Sequence, residues 1–214
     1  MKKYNTIAVI GGTGKSGNYL VKELLERNYK VRLLVRNPEK SPPTKENLEI
    51  VFGDVLNPAS IRELLKESEA VISTLGLGIP ISQKTIFSET TKSIVEEFKR
   101  INLKRYIVLS SLNVDTDLDD KGDFTKAATK FMYDNFPIST QDKQDEYDLL
   151  SNSILDWTII RSSMIELTDQ KTDYLASTID CKGQKISASS LAEFLVDQLE
   201  SNEYLKKAPF IWNK

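Results

Sequence analysis

The stretch Thr6–Gly17, TIAVIGGTGKSG, decides how the rest of the chain is read. A short apolar run rich in β-branched residues reads as a buried strand. It breaks on glycine, and a helical pattern, SGNYLVKELLERN, follows at once. The tripeptide Gly14-Lys15-Ser16 looks like the end of a nucleoside-triphosphate P-loop, but that loop needs a glycine five residues before Gly14. Val9 stands there, inside the strand. Gly11, Gly14 and Gly17 instead fall at three-residue spacing between a strand and a helix. There bare backbone can approach a pyrophosphate and the helix amino-terminal N–H groups can face it. The spacing therefore favours a dinucleotide, with Gly11, Thr13, Gly14, Lys15, Ser16 and Gly17 as candidate contacts and Lys15 available to a phosphate.

Working outward, five more strand-like runs follow: KVRLLVR, LEIVFGD, EAVISTLG, KRYIVLSS and DWTIIRSS. Between them, PASIRELLKES and TIFSETTKSIVEEFKRIN place apolar residues at three- and four-residue spacing, as crossover helices do. This alternation predicts an α/β fold of the Rossmann type: a doubly wound, mostly parallel sheet in three αβα layers, forming a single domain over residues 1–214. Ligands of such sheets bind at the carboxyl ends of the strands. Trp157 falls in a strand and Trp212 in an expected edge strand, both read as core. The stretches Asn37–Asn47 and Asn113–Asp123 are expected to be solvated loops.

Composition narrows the partners. The chain of 214 residues carries 29 lysines and arginines against 31 acids, a formal charge of −2, which gives no general pull toward nucleic acid or anionic lipid. With one cysteine, Cys181, and no histidine, no metal site is readable. The amino-terminal apolar run is too short for a signal or membrane segment, and the expected location is the cytoplasm. At the end of the second strand, LLVRNPEK puts Arg36 where an acid would bond the ribose hydroxyls of NAD; an arginine suits a 2′-phosphate instead. The expected cofactor is NADP(H), with NAD(H) less favoured and Asn37 able to add a hydrogen bond.

Together GGTGKSG, VRNPEK, GDVLNPASI, VISTLGLG, RYIVLSSLNV, LDWTIIR and ISASSLAEFLVDQLESNEYL resemble the atypical branch of the short-chain dehydrogenase/reductase superfamily, which holds NmrA-like proteins and biliverdin reductase B (flavin reductase). By position, the resemblance implies that Asp54 and Val55 flank the adenine, and that Thr74, Leu75 and Gly76 border the ribose and pyrophosphate. It places Ser111, with Ser110 beside it, near the nicotinamide or the substrate oxygen. On its own, Asp54 reads equally as a turn or capping residue.

The family's Tyr-x-x-x-Lys pair, in which lysine orients the ribose and assists a tyrosine acid, is incomplete. Lys143 fits the lysine, but Ser139 stands four residues before it; Lys143 reads equally as a solvated helix lysine. Arg161 either approaches the active edge or forms a structural salt bridge, and Ser162 and Ser163 follow it where relatives have proline and glycine. The stretch Gly76–Ser82, GLGIPIS, offers Leu77, Ile79 and Ile81 either as a lid over the acceptor or as an ordinary strand-to-helix connection. Two functions fit: reduction by NADPH of a small planar redox substrate such as a flavin, quinone or tetrapyrrole-like ring, or non-catalytic redox sensing through a protein partner, as in NmrA-like relatives. Neither involves nucleic acid or a membrane.

Overall fold

Strand and helix alternate through the computed structural model, which describes residues 3–78 and 83–214. The order is β1 (Thr6–Ile10), α1 (Gly17–Glu26), β2 (Lys30–Val35), β3 (Leu48–Phe52), α2 (Pro58–Leu65), β4 (Ala70–Ser73), α3 (Ile86–Ile101), β5 (Arg105–Ser111), α4 (Asp123–Asn135), α5 (Pro137–Ser151) and β6 (Asp156–Ser162). After these come β7 (Met164–Glu166), β8 (Tyr174–Ser177), β9 (Lys185–Ser187), α6 (Ala188–Asp197) and β10 (Phe210–Asn213). The main sheet runs β3-β2-β1-β4-β5-β6-β10-β8, and β7 pairs with β9 in a separate two-stranded sheet. Every pairing in the main sheet is parallel except β10 with β8. This is the single doubly wound α/β domain that the alternation predicts.

The two-residue period of a strand explains the layers. Ile7 and Val9 of β1 join one core with Leu20 and Leu24 of α1 and Leu191 and Leu195 of α6. Ala8 and Ile10 join the other with Ile61 and Leu64 of α2 and Ile94 and Phe98 of α3. Both faces of the sheet are covered, so its strands read as nearly unbroken apolar runs. Asn57 starts α2 by accepting the Ala59 N–H at 2.9 Å, with Pro58 in the first turn, where its missing N–H costs nothing. Among the described residues no helix is long and apolar enough to cross a membrane.

Two expectations need correction. Trp157 and Trp212 are buried as expected, but β10, which carries Trp212, lies between β6 and β8, so the edge strand is β8. The acidic stretch Asn113–Asp123 is not simply solvated. Asn113, Val114 and Lys121 within it are buried, because the Lys121 ammonium turns inward to donate to the Leu112 and Val114 carbonyls and to Asp115.

Candidate active site

Strand order reverses around β1, which has β2 on one side and β4 on the other, and ligands of open α/β sheets bind at this kind of switch point. The glycine loop crosses it. Gly11 has φ +76°, a conformation open to glycine, and a Cβ there would lie 2.6 Å from the Thr74 carbonyl. A Cβ on Gly17 would lie 2.1 Å from the Gly11 oxygen, so Gly17 is what lets α1 start against the loop. At Gly14 the only close atom is the Gly11 oxygen at 3.1 Å. Gly14 and Lys15 are exposed; Thr13 and Ser16 are half-buried. The first helical bonds run from Asn18 N–H to Gly14 and from Tyr19 and Leu20 N–H to Ser16. The preceding N–H groups thus belong to a first turn, which has no acceptors within the helix, and the Ser16 hydroxyl makes no capping bond. A bare, uncapped helix start beside a glycine cradle fits a pyrophosphate.

The neighbouring strand ends complete the edge. Arg36 is exposed just past β2, and Asn37 uses its side-chain oxygen to accept the Glu39 N–H at 3.0 Å, leaving its amide N–H groups for other work. Past β3, the Asp54 carboxylate accepts the Leu56 N–H at 2.9 Å, the turn role open to it from sequence, and Val55 is buried against the α2 side of the core. Past β4, Thr74 is buried and its N–H donates to the Ile10 carbonyl at 2.9 Å, tying β4 to the glycine loop. Leu75 and Leu77 pack on the core, and Gly76 is exposed with open space where a Cβ would point. Ile79 and Ile81, on which the lid reading depends, lie outside the described residues.

At the end of β5 successive side chains face opposite ways, and the two serines part company. The Ser111 hydroxyl donates to the Asn113 side-chain oxygen. Lys143 comes to Ser110 instead, its Nζ 3.5 Å from the Ser110 Oγ and 4.4 Å from the centre of the Phe87 ring. This corrects the reading of Lys143 as a solvated helix lysine: its ammonium points into the strand ends. Burial lowers the Lys143 pKa, against the pull of the Glu146 and Asp142 carboxylates. Among the described residues, neither Ser139 nor the Tyr106 and Tyr147 phenols makes a hydrogen bond to Lys143 or Ser111. The Ser139 hydroxyl donates to the Phe136 carbonyl, the Tyr147 ring stands edge-on to Trp157, and the Tyr106 hydroxyl lies 3.2 Å from Thr91.

Sequence reasoning did not single out Asn113, Phe87, Asp142 or Glu146. The last two were legible in principle: helical spacing puts Asp142, Glu146 and Leu150 on one face of α5, with Lys143 beside them.

Arg161 is withdrawn from the cofactor contacts. It has 0% exposure, and its guanidinium donates to the Ala208 and Val114 carbonyls and to Asp119 at 2.7, 2.9 and 2.8 Å. The structural salt bridge is the role the geometry shows, because donors turned onto protein acceptors in the core do not face a ligand.

The known proteins this chain resembles agree with the geometry. A family described as NAD(P)H-binding matches residues 11–202. The photosystem II assembly factor Ycf39 of Guillardia theta is 26% identical over 94% of this chain, and that of Trieres chinensis is 32% identical over 53%. The chain spans only 63% and 37% of those two relatives' lengths. YwnB of Bacillus subtilis is 24% identical across 92% of this chain and 93% of its own. A short-chain dehydrogenase/reductase of Veillonella parvula, solved with NADP, shares the fold with a TM-score of 0.79 at 21% identity over 98% of this chain and 95% of its own. A glycine cradle at the switch point, in a chain matched across most of its length, makes this protein a member of the NAD(P)H-binding family.

Proposed function

We propose that this protein is an NADPH-dependent reductase that delivers hydride to a small planar acceptor such as a flavin or quinone. The observation that carries the reading is the convergence of the glycine cradle, the β4 end and the inward-turned Lys143 on one edge of the sheet. Bound there, the reduced nicotinamide supplies the hydride. The residues of this chain do the positioning: N–H groups of the Gly11–Gly17 loop face the pyrophosphate, Arg36 pairs with the 2′-phosphate, and Lys143 holds the ribose hydroxyls. When the acceptor binds, the Ser111 hydroxyl turns its one proton from the Asn113 side-chain oxygen to an acceptor oxygen. A quinone or flavin takes its proton from water, so the reaction relies on alignment and tolerates the loss of the tyrosine.

The cheapest test is absorbance at 340 nm with NADPH and a panel of flavins and quinones. Turnover above the uncatalysed rate is expected; tight NADPH binding with none supports a second reading. That reading, a cofactor-sensing protein acting through a protein partner, draws on the absent phenol and on the resemblance to assembly factors.

Two variants refine the first reading. Arg36→Ala should shrink the preference for NADPH over NADH by about 10- to 100-fold, the worth of a charge-assisted pair. Equal binding of both cofactors by the unaltered chain, or a preference unmoved by the substitution, sinks the assignment. Ser111→Ala removes one hydrogen bond but neither the donor nor the stacking surface, so kcat should fall by a few-fold to about tenfold; an unchanged kcat places the acceptor elsewhere.

A further inference from the structure

We propose that Glu146 is a positioning residue for Lys143: from one helical turn away, its buried carboxylate keeps the Lys143 ammonium charged and held at the end of β5. The inference rests on the reading that Lys143 meets the cofactor.

The inward face of α5 is the wrong place for charge unless the charge has work to do. A helix packed on a sheet ordinarily buries an apolar stripe, and a buried ion costs several kcal/mol unless it is paired. Yet Glu146 is 3% exposed, three residues along α5 from the half-buried Lys143, the spacing at which helical side chains are neighbours. Among the described residues neither closes an ion pair within 4.0 Å. Their coupling acts through the low-dielectric interior, where a charge is felt beyond contact distance.

The other nearby acid is already engaged. Both Asp142 oxygens are taken at the amino end of α3, where they accept the Phe87 N–H at 2.8 Å, the Ser88 N–H at 3.1 Å and the Ser88 hydroxyl. Glu146 accepts the Thr91 hydroxyl at 2.7 Å, and Thr91 in turn lies 3.2 Å from the Tyr106 hydroxyl. Since Thr91 has one proton and gives it to Glu146, Tyr106 must be the donor to Thr91. The hydroxyl chain thereby points at the Glu146 carboxylate and favours its ionised form.

The charged and titratable groups acting on Glu146 are Lys143 and Asp142 from α5 itself and Tyr106 from β5, while α3 presents the Thr91 hydroxyl. Burial pushes Glu146 up to about 7 even against the downward pull of Lys143 and the Thr91 hydrogen bond. The same attraction holds the Lys143 proton against its own burial, as reciprocal linkage requires.

The test follows NADPH affinity by nicotinamide fluorescence across neutral and alkaline pH. Binding should weaken as Lys143 loses its proton. Glu146→Gln keeps the acceptor for Thr91 and removes the charge, so this alkaline limb should move down by about one pH unit, a tenfold change in proton affinity. In a Lys143→Arg background, where the cation does not titrate, adding Glu146→Gln should move no limb. A limb unmoved by Glu146→Gln, or moved equally in the arginine background, overturns the proposal while leaving the cofactor reading intact. Failure of the unaltered chain to bind either nicotinamide cofactor overturns both. Should Glu146→Gln not fold, NMR titration of the Glu146 carboxyl carbon decides: its midpoint should rise in Lys143→Met, and an unmoved midpoint overturns the proposal.

Discussion

Gly14→Val is expected to fold and lose the dinucleotide, whereas Gly17→Val, three residues on, is expected to destabilise the fold. The two differ in what a Cβ would meet. At Gly17 it would stand 2.1 Å from the Gly11 oxygen and 2.7 Å from the Gly12 Cα, all backbone, so no rotamer relieves the clash. Such overpacking should cost upwards of about 3 kcal/mol, lowering Tm by roughly 6–12 °C or more for a chain of this size. At Gly14 the sole close approach is 3.1 Å, to the Gly11 oxygen, which can give by a few tenths of an ångström. The valine there projects from an exposed position between the cradle and the start of α1. It would fill the space that the proposed pyrophosphate needs, and affinity for NADPH should drop at least about 100-fold, or about 2.7 kcal/mol. Calorimetric titration with thermal melts on both variants checks this. A Gly14→Val chain that keeps its affinity would show that the phosphates bind elsewhere.

The glycine loop could be read from the sequence because its constraints are local: Gly11, Gly14 and Gly17 act on one another and on the strand beside them. Most of the first six strands were legible for a similar reason, since a strand covered on both faces reads as a nearly unbroken apolar run; β3, at the sheet edge with Glu49 and Phe52 exposed, is the exception. The short strands after β6 were harder to read. Strands β7 and β9 have three residues each and β8 four, too few to set up a period. Helix α4 lacked a readable stripe as well, with Thr125 its buried residue and Phe124 and Phe131 exposed.

The β5 side of the site was half legible. Lys143 could be located from the family's Tyr-x-x-x-Lys pattern, but its direction depends on Phe87 and Ser110, more than thirty residues away on other elements. The Asp142 clamp on α3 reaches across 54 and 55 positions. Contacts this distant leave no periodic trace; only the topology brings them together.

Arg161 shows the same limit, and replacing it should be among the most damaging changes to stability. Its guanidinium carbon lies 3.5 Å from the centre of the Phe210 ring. Its hydrogen bonds fasten β6 to the Ala208 carbonyl before β10, to Val114 and Asp119 after β5, and to the Thr178 carbonyl after β8. Asp119 sits between two cations, with Lys121 Nζ 3.6 Å away on its other side. Burial lowers the Arg161 pKa, and the Asp119 carboxylate opposes that shift by holding the proton in place. Arg161→Met would fill much of the same volume yet strip three carbonyls of a donor and remove the closer of the two cations beside Asp119. Breaking a buried pair of this kind costs about 3–5 kcal/mol, so Tm should fall by roughly 6–20 °C. Asp119→Asn keeps an acceptor for the guanidinium and should cost less, about 1–3 kcal/mol. Denaturant melts rank the two, and NADPH titration of whichever variants fold separates structure from binding. If Arg161→Met melts with the unaltered chain but no longer binds NADPH, Arg161 returns to the cofactor site and the structural assignment is wrong.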